Sequence, residues 1–190
     1  MKAKMVMASA IVLTGMVGVI APTAVAAEES TGTIELIAPE NPGEGGNLVL
    51  NQVTDFDFGQ QEISGQKAEY ALVDPTAAVP TQISDLRGTG EGWNVSVAIT
   101  QFLDGDKALK GAVLTLPAGD LTSAESESAA PSASELTVND SAQTAITAAA
   151  NSGLGVWEKD YSGAKLTVPQ GNLAGNYSAT LTWTLTDGPA

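Results

Sequence analysis

The sequence contains neither histidine nor cysteine, the residues on which many active sites and most zinc sites depend. A Ser-His-Asp or Cys-His nucleophile cannot form, and zinc sites built on these ligands are excluded. Two acidic pairs remain, Asp55 with Asp57 and Asp104 with Asp106, and glycoside hydrolysis needs only two correctly spaced carboxyl groups. Aromatic residues, which line most sugar-cleaving clefts, are only 5% of the chain. We therefore predict no catalytic residues and keep a carboxylate-dependent hydrolase as the less favoured alternative.

The triplet Asp104-Gly105-Asp106 has a second possible chemistry. Carboxylate oxygens are the ligands that calcium prefers, so the triplet could contribute to a calcium site. Two acids around a glycine are also typical of a solvated turn between strands. We favour the turn and predict no metal ion and no cofactor.

The chain begins with the features of a secretory signal peptide. Lys2 and Lys4 precede an apolar run from Met5 to Ile20, and small residues around Ala26 follow Pro22. The run is shorter than the ~20 residues that a spanning helix needs, so a retained membrane anchor is the less favoured alternative. We predict that residues 1–27 are removed, that the protein is secreted, and that it does not span the membrane.

The net charge is strongly negative. It is −14 for the whole chain, and loss of the two lysines in the signal peptide would make it −16. Such a field repels nucleic acid and anionic membrane surfaces, so partners that need a basic patch are excluded. With no cysteine to form a disulfide, stability depends on packing and hydrogen bonding.

The remaining sequence divides into a polar segment and a strand-rich domain. Residues 28–46 contain several prolines and glycines around one strand candidate, Thr33 to Ala38, and we predict a flexible segment. Residues 47–190 alternate short apolar segments with turn signals, which is typical of an all-β fold. We predict one antiparallel β-sandwich or barrel-like domain, with a surface loop from Leu121 to Glu135 and, although alanine favours helix, a strand in SAQTAITAAAN. The other predicted strands lie in NLVLNQV, DFDFG, EYALVD, GWNVSVAIT, AVLTLP, ELTV, AKLTVP and YSATLTWTL.

Two of these segments alternate most sharply between apolar and polar residues. In YSATLTWTL, every second residue from Tyr177 to Leu185 is apolar, and a serine and three threonines occupy the other face. WNVSVAIT has the same design, with Trp93 on the apolar face. Each tryptophan therefore has two possible roles, as a core residue or as a contact with a ligand, and the sequence does not choose between them.

These two segments also resemble the tryptophan motifs of WxL-domain proteins, which are cell-surface proteins of Gram-positive bacteria. YSATLTWTLTDGP resembles the closing motif of that family, and DLRGTGEGWNVSV resembles its first motif, with valine where leucine is expected. DFDFG, GAVLTLPAG, GLGVW and AKLTVPQG follow in the family's order, so the resemblance covers the chain from about Asn47. The motif residues, which we take as candidate binding residues, are Trp93, Asn94, Val95, Trp183, Thr184 and Leu185.

The resemblance implies noncovalent attachment to the cell wall through peptidoglycan or another wall glycan. It also implies assembly into a surface complex with a membrane-anchored WxL-interacting protein and with other WxL proteins. A surface adhesin that recognises host material remains an alternative, because solvent-facing loops such as Thr122 to Glu135 can carry any specificity. A wall hydrolase is the alternative from the enzyme class.

Overall fold

A computed structural model describes residues 31–40 and 47–188. The predicted signal peptide lies outside the described residues. Residues 31–40 contain no strand, so the strand predicted for Thr33 to Ala38 is wrong. No helix that is long and apolar enough to cross a membrane occurs in the described part of the chain.

The described residues form strands and no helix, which confirms the all-β prediction. Their order is β1 Leu48–Gln52, β2 Ala68–Ala71, β3 Thr81–Asp85, β4 Trp93–Ile99, β5 Leu103–Asp104, β6 Lys107–Ala108, β7 Val113–Leu116, β8 Gly119–Asp120, β9 Ser132–Ala133, β10 Leu136–Val138, β11 Gln143–Ala148, β12 Gly155–Lys159, β13 Lys165–Val168 and β14 Leu181–Asp187.

These strands form antiparallel sheets. The largest has the order β14-β4-β11-β9-β8, the second β10-β7-β13-β2, and the third β1-β3-β12. Strands β5 and β6 form a separate hairpin. Strand β14 therefore lies at one edge of the largest sheet, next to β4.

Side chains that alternate along these strands build the core. Strand β4 buries every second residue from Trp93 to Ile99, while the residues between them are partly exposed. Buried residues of the other sheets complete the core, including Ile83, Leu114 and Leu116. Removing such side chains from water stabilises the fold by ~1.5 to 3 kcal/mol each.

The predicted strand in DFDFG does not form. Residues 55–59 have the alternation of a strand, with Phe58 buried and Asp55 and Asp57 exposed. Their backbone lies in no sheet; Asp57 accepts one bond, from the N–H of Val73 at 2.9 Å. Gly59 then turns the chain with a φ of 61°. The segment is thus held by side-chain packing rather than by backbone hydrogen bonds to a neighbouring strand.

The loop predicted from Leu121 to Glu135 is partly correct. Most of it is irregular, but Ser132 and Ala133 form β9, which pairs with both β11 and β8. Ala133 is buried, so this end of the segment belongs to the sheet. The prediction missed this strand because it is only two residues long and its Ser- and Ala-rich sequence has no strand pattern.

The segment SAQTAITAAAN contains β11, as predicted. We did not predict β3, whose sequence TQISD carries only one large apolar residue, Ile83. It forms because β1 and β12 flank it on both sides.

Candidate functional site

The two tryptophan motifs lie on neighbouring strands. Strands β4 and β14 pair so that Val95 lies opposite Leu185 and Val97 lies opposite Trp183. Motifs separated by about half the chain in sequence thereby form one continuous surface. The structure brings the six candidate residues together but gives them different exposures.

Trp93 belongs to the core. It is completely buried, and its indole Nε1 donates a hydrogen bond to the Gly153 carbonyl at 3.1 Å. Gly153 has a φ of 73°, and a Cβ there would lie 2.9 Å from that nitrogen and 2.6 Å from the Ala148 Cβ. The buried Trp93 cannot stack on a sugar ring. Val95 is equally buried and has a packing role.

Trp183 is only partly buried. Its ring packs against Tyr161 with centroids 5.7 Å apart, and Tyr161 packs against Phe56 at 6.4 Å. Such tilted aromatic pairs stabilise by about 0.5 to 1.5 kcal/mol beyond the area they bury. Trp183 therefore has one side on the core and another toward an open groove.

Two irregular segments border this groove, residues 53–64 and residues 169–180. Its volume is about 1140 Å³, and half-buried apolar side chains are exposed to it. Asp55 and Asp57 also line it. The half-buried apolar residues that line the groove include Phe56, Tyr70, Phe102, Val168, Leu181 and Trp183.

Tyr161 sits beneath this groove without a polar partner. It is 1% exposed, and its hydroxyl has no hydrogen-bond partner in the part of the chain that the structure describes. Burial raises the pKa of Tyr161 above its usual value. The Nζ of Lys159 lies 5.4 Å from the ring centroid and donates to the Ala118 carbonyl at 3.2 Å. Burial also lowers the pKa of Lys159.

The opposite face of the largest sheet is polar and solvent-facing, and it is uncharged over β14, β4, β11 and β9, whereas Asp120 of β8, opposite Ser132, places a carboxylate at its far edge. Cross-strand rows join Thr184 to Ser96 and Thr144, and Thr186 to Asn94 and Thr147. We call this surface the hydroxyl face. Its residues are Asn94, Ser96, Ala98, Ser132, Thr144, Thr147, Thr182, Thr184 and Thr186.

A bulge in β11 is required for this arrangement. The register with β4 shifts between Thr144 and Ile146, so Ala145 is an extra residue in β11. Ala145 and Ile146 are both buried, whereas Thr144 and Thr147 both lie on the hydroxyl face although they are three positions apart. The two threonines could not share a face in a regular strand.

The outer edge of β14 is unpaired. The Thr180 carbonyl accepts a hydrogen bond from the Thr100 N–H, and the Gly188 N–H donates one to the Gly92 carbonyl. The backbone groups of the even-numbered residues between Thr180 and Gly188 therefore point toward β4. The backbone groups of Leu181, Trp183 and Leu185 therefore point outward, and they make no hydrogen bond to another described residue.

An arginine fixes the end of β14 to the loop before β4. Arg87 donates to both carboxylate oxygens of Asp85 at 2.9 Å and to the Gly92 carbonyl at 2.9 Å, and it pairs with Asp187. The Asp85 side chain is fully buried. Hydrogen bonding to Asp85 raises the pKa of Arg87. We call Arg87 and these three partners, Asp85, Gly92 and Asp187, the clasp. These contacts connect the start of β4 to the end of β14.

The second acidic pair forms the turn that the sequence predicted. Asp104 and Asp106 flank Gly105, which has a φ of 59°, between β5 and β6. The Asp104 carboxylate lies 3.5 Å from the Lys107 Nζ. No group of three acidic side chains close enough to bind a metal ion occurs among residues 31–40 and 47–188.

Comparison with protein-family models gives one match. It is the model described as "WxL domain surface cell wall-binding", and it covers residues 18–189. The chain belongs to the WxL family. Neither the curated proteins nor the solved structures gave a match. Membership in this wall-binding family associates the protein with the cell surface and confirms the resemblance in the sequence.

In WxL terms, each motif divides into inward and outward residues. The tryptophan and the valine or leucine of each motif face inward, whereas the middle residues, Asn94 and Thr184, lie on the hydroxyl face. Sequence reasoning missed Thr144 and Thr147 because the bulge breaks the alternation on which it relied. It also missed Tyr161, which no motif marks.

Proposed function

We propose that this protein is secreted and attaches noncovalently to peptidoglycan, using the hydroxyl face as its contact surface. The observation that carries this proposal is the position of Asn94 and Thr184. Both middle residues of the motifs lie where the outer face of the sheet is uncharged, over β14, β4, β11 and β9, in a chain whose net charge is −14. The carboxylate of Asp120 lies at the far edge of that face, on β8. An acidic protein can approach a wall rich in anionic polymers most easily through such a surface.

The chemistry of this face suits a neutral glycan. Hydroxyl and amide groups both donate and accept hydrogen bonds, and sugar hydroxyls do the same. Neighbouring strands are ~4.8 Å apart, so the rows present regularly spaced groups to a polymer. Each hydrogen bond is weak, so affinity depends on several of them forming at once to successive sugars of one polymer. Trp183 and Leu185 support the strand that carries Thr184, rather than contacting the same sugar, because they face the other side.

Binding of purified protein to isolated cell walls tests this proposal. We expect Thr184→Glu to reduce the bound fraction severalfold, because it places a negative charge on the exposed centre of the face. Thr137→Glu, at an exposed threonine of β10 in another sheet, is the matched control and should bind like wild type. Full binding by Thr184→Glu would contradict the proposal.

Salt provides an independent test. The Debye length falls from about 30 Å at 0.01 M to about 8 Å at 0.15 M ionic strength, so moderate salt should weaken repulsion from the wall. We expect attachment to strengthen with moderate salt, with divalent cations or at lower pH. Attachment that declines steadily as salt rises would contradict this expectation.

We also propose that the protein is not an enzyme. Asp55 and Asp57 line the groove, but the hydroxyl face, on which the motifs converge, has a single carboxylate of its sheet beside it, that of Asp120, and glycoside hydrolysis needs two. Incubation with peptidoglycan should release no reducing ends. Release that Asp55→Asn abolishes would instead support a wall hydrolase.

Docking within a surface complex is a second candidate function. The outward backbone groups of Leu181, Trp183 and Leu185 favour it, because an exposed edge can accept a partner's strand. A membrane-anchored WxL-interacting protein and other WxL proteins are the partners to test. Co-purification that Leu185→Pro weakens would support edge docking, since proline removes an outward N–H.

A further inference from the structure

The segment before the domain carries exposed apolar side chains. Ile34, Leu36 and Ile37 are 85%, 86% and 72% exposed, the three highest values among the large hydrophobic residues of the described chain. They lie in the sequence TIELIA, which has the composition of a strand, but residues 31–40 form none. The segment has strand-forming residues without a sheet to join.

The β14 edge offers an unfilled position for a strand over part of its length, because β1 approaches β14 without pairing with it. The outward N–H and C=O groups of Leu181, Trp183 and Leu185 form an edge ladder without a partner strand among the described residues. The groove next to this edge exposes half-buried apolar side chains, including those of Phe56 and Phe102. Backbone donors and acceptors beside an apolar groove are the two features that strand addition requires.

We propose that residues Thr33 to Ala38 of one copy bind as an added strand along β14 of a second copy. Side chains at alternate positions point to the same face, so Ile34, Leu36 and Ala38 would enter the groove together. Thr33, Glu35 and Ile37 would face the solvent on the other side. The proposal identifies another copy of this chain as the partner at the β14 edge.

A second copy fits the edge because every chain carries one donor segment and one acceptor edge. The contact is head-to-tail, and such contacts build open chains of subunits unless a ring closes. Residues 39–46 contain Pro39, Pro42 and three glycines, and the nine residue steps from Ala38 to Asn47 span at most roughly 30 Å. That length leaves the donor free to reach a neighbouring molecule.

Charge sets the conditions for this assembly. The donor contains Glu35 and is followed by Glu40, while the groove is lined by Asp55, Asp57 and Glu62. Like charges at the contact oppose association, and salt screens them. Assembly should therefore strengthen as ionic strength rises, as expected for a contact driven by apolar burial and backbone hydrogen bonds.

The test is sedimentation of the purified chain without its predicted signal peptide, across a wide range of protein concentration at moderate salt. We expect oligomers whose size grows with concentration. Leu36→Asp should weaken association at least tenfold, and it should not affect folding because this side chain is exposed. Val79→Asp, at another exposed aliphatic residue, is the matched control and should assemble like wild type.

A peptide with the sequence of residues 31–40 provides a second measurement. In excess it should occupy the edge and dissociate the oligomers, whereas the same peptide with Leu36→Asp should not. A chain that stays monomeric at every concentration, or equal effects of Leu36→Asp and Val79→Asp, would overturn the proposal. A monomer whose tryptophan fluorescence responds to Leu36→Asp would also overturn it, by indicating that the segment occupies its own groove.

These measurements use no wall material. Loss of wall binding in Thr184→Glu and loss of assembly in Leu36→Asp are therefore separate results, and either proposal can fail without the other.

Discussion

The two tryptophans of this protein occupy equivalent positions in similar sequences but have different environments. Trp93 begins a strand with neighbours on both sides, β11 and β14, and is completely buried. Trp183 lies on the edge strand and is only partly buried, between Tyr161 and an open groove. The comparison teaches that strand position in the sheet, rather than the motif itself, decides whether such a tryptophan is available to a partner.

Replacing the two tryptophans should therefore give unequal losses of stability. We expect Trp93→Ala to cost ~3 to 5 kcal/mol, because it leaves a large cavity in the core and removes the bond to Gly153. Trp183→Ala should cost only about 1 to 2 kcal/mol, since this side chain is partly solvated already. Urea denaturation of both variants would measure the difference. Equal losses would contradict the assignment of Trp93 to the core and Trp183 to the groove.

Arg87→Ala tests the clasp that holds the ends of the two motif strands. We expect a loss of about 3 kcal/mol in the free energy of unfolding, because the buried Asp85 carboxylate would lose its ion pair. Asp187→Asn should cost at most about 1 kcal/mol, since Asp187 is exposed and its pair with Arg87 is screened by water. Urea denaturation measures both. A loss for Asp187→Asn as large as that for Arg87→Ala would place the important contact at the end of β14 instead.

Tyr161→Phe tests the burial of the ring that packs against Trp183, because it should change how the free energy of unfolding depends on pH. The pKa of Tyr161 is raised in the folded protein, whereas the unfolded chain loses this proton near pH 10. Wild type should therefore lose stability as the pH rises above about 10, by about 1 kcal/mol per pH unit from this group. The variant lacks that loss, so its advantage over wild type should grow between about pH 9 and pH 11. A difference that stays constant in urea denaturation over this range would contradict the burial of Tyr161.

Asn94→Ala should have the smallest effect. The Asn94 side-chain amide donates to the Gly188 carbonyl at 3.1 Å, which connects β4 to the end of β14. Because both groups are near solvent, we expect a loss of about 0.5 to 1 kcal/mol. Thermal unfolding would measure it, with Thr182→Ala as a control on the same face. A large loss would mean that Asn94 serves the fold more than the surface.

Sequence alternation was sufficient to predict the all-β class and the two faces of β4 and β14, because period two follows directly from strand geometry. It could not assign the environments of Trp93 and Trp183. Gly153 accepts the hydrogen bond of Trp93, and Tyr161 packs against Trp183. Neither residue is close in sequence to the tryptophan that it contacts, so these contacts arise only in the folded chain.

The prediction was wrong for residues 55–59 and missed β3 for the same reason, because the pattern within one segment does not show which strands pair. Residues 55–59 alternate like a strand but find no partner for most of their backbone, and pairing is a property of the whole fold. Strand β3 has a weak pattern but two partners, β1 and β12. The adjacency of the two motifs depends on sheet order, which the pattern within a single strand does not contain.

The bulge at Ala145 has a consequence for tolerated changes in chain length. Deleting this one small residue would make β11 regular, and the present partners would stay in register, with Thr144 and Thr147 outward and Ile146 inward. The strand would lose one buried methyl group and the extra local twist that a bulge adds. A single-codon deletion of Ala145 should thus leave both the fold and the wall contact in place.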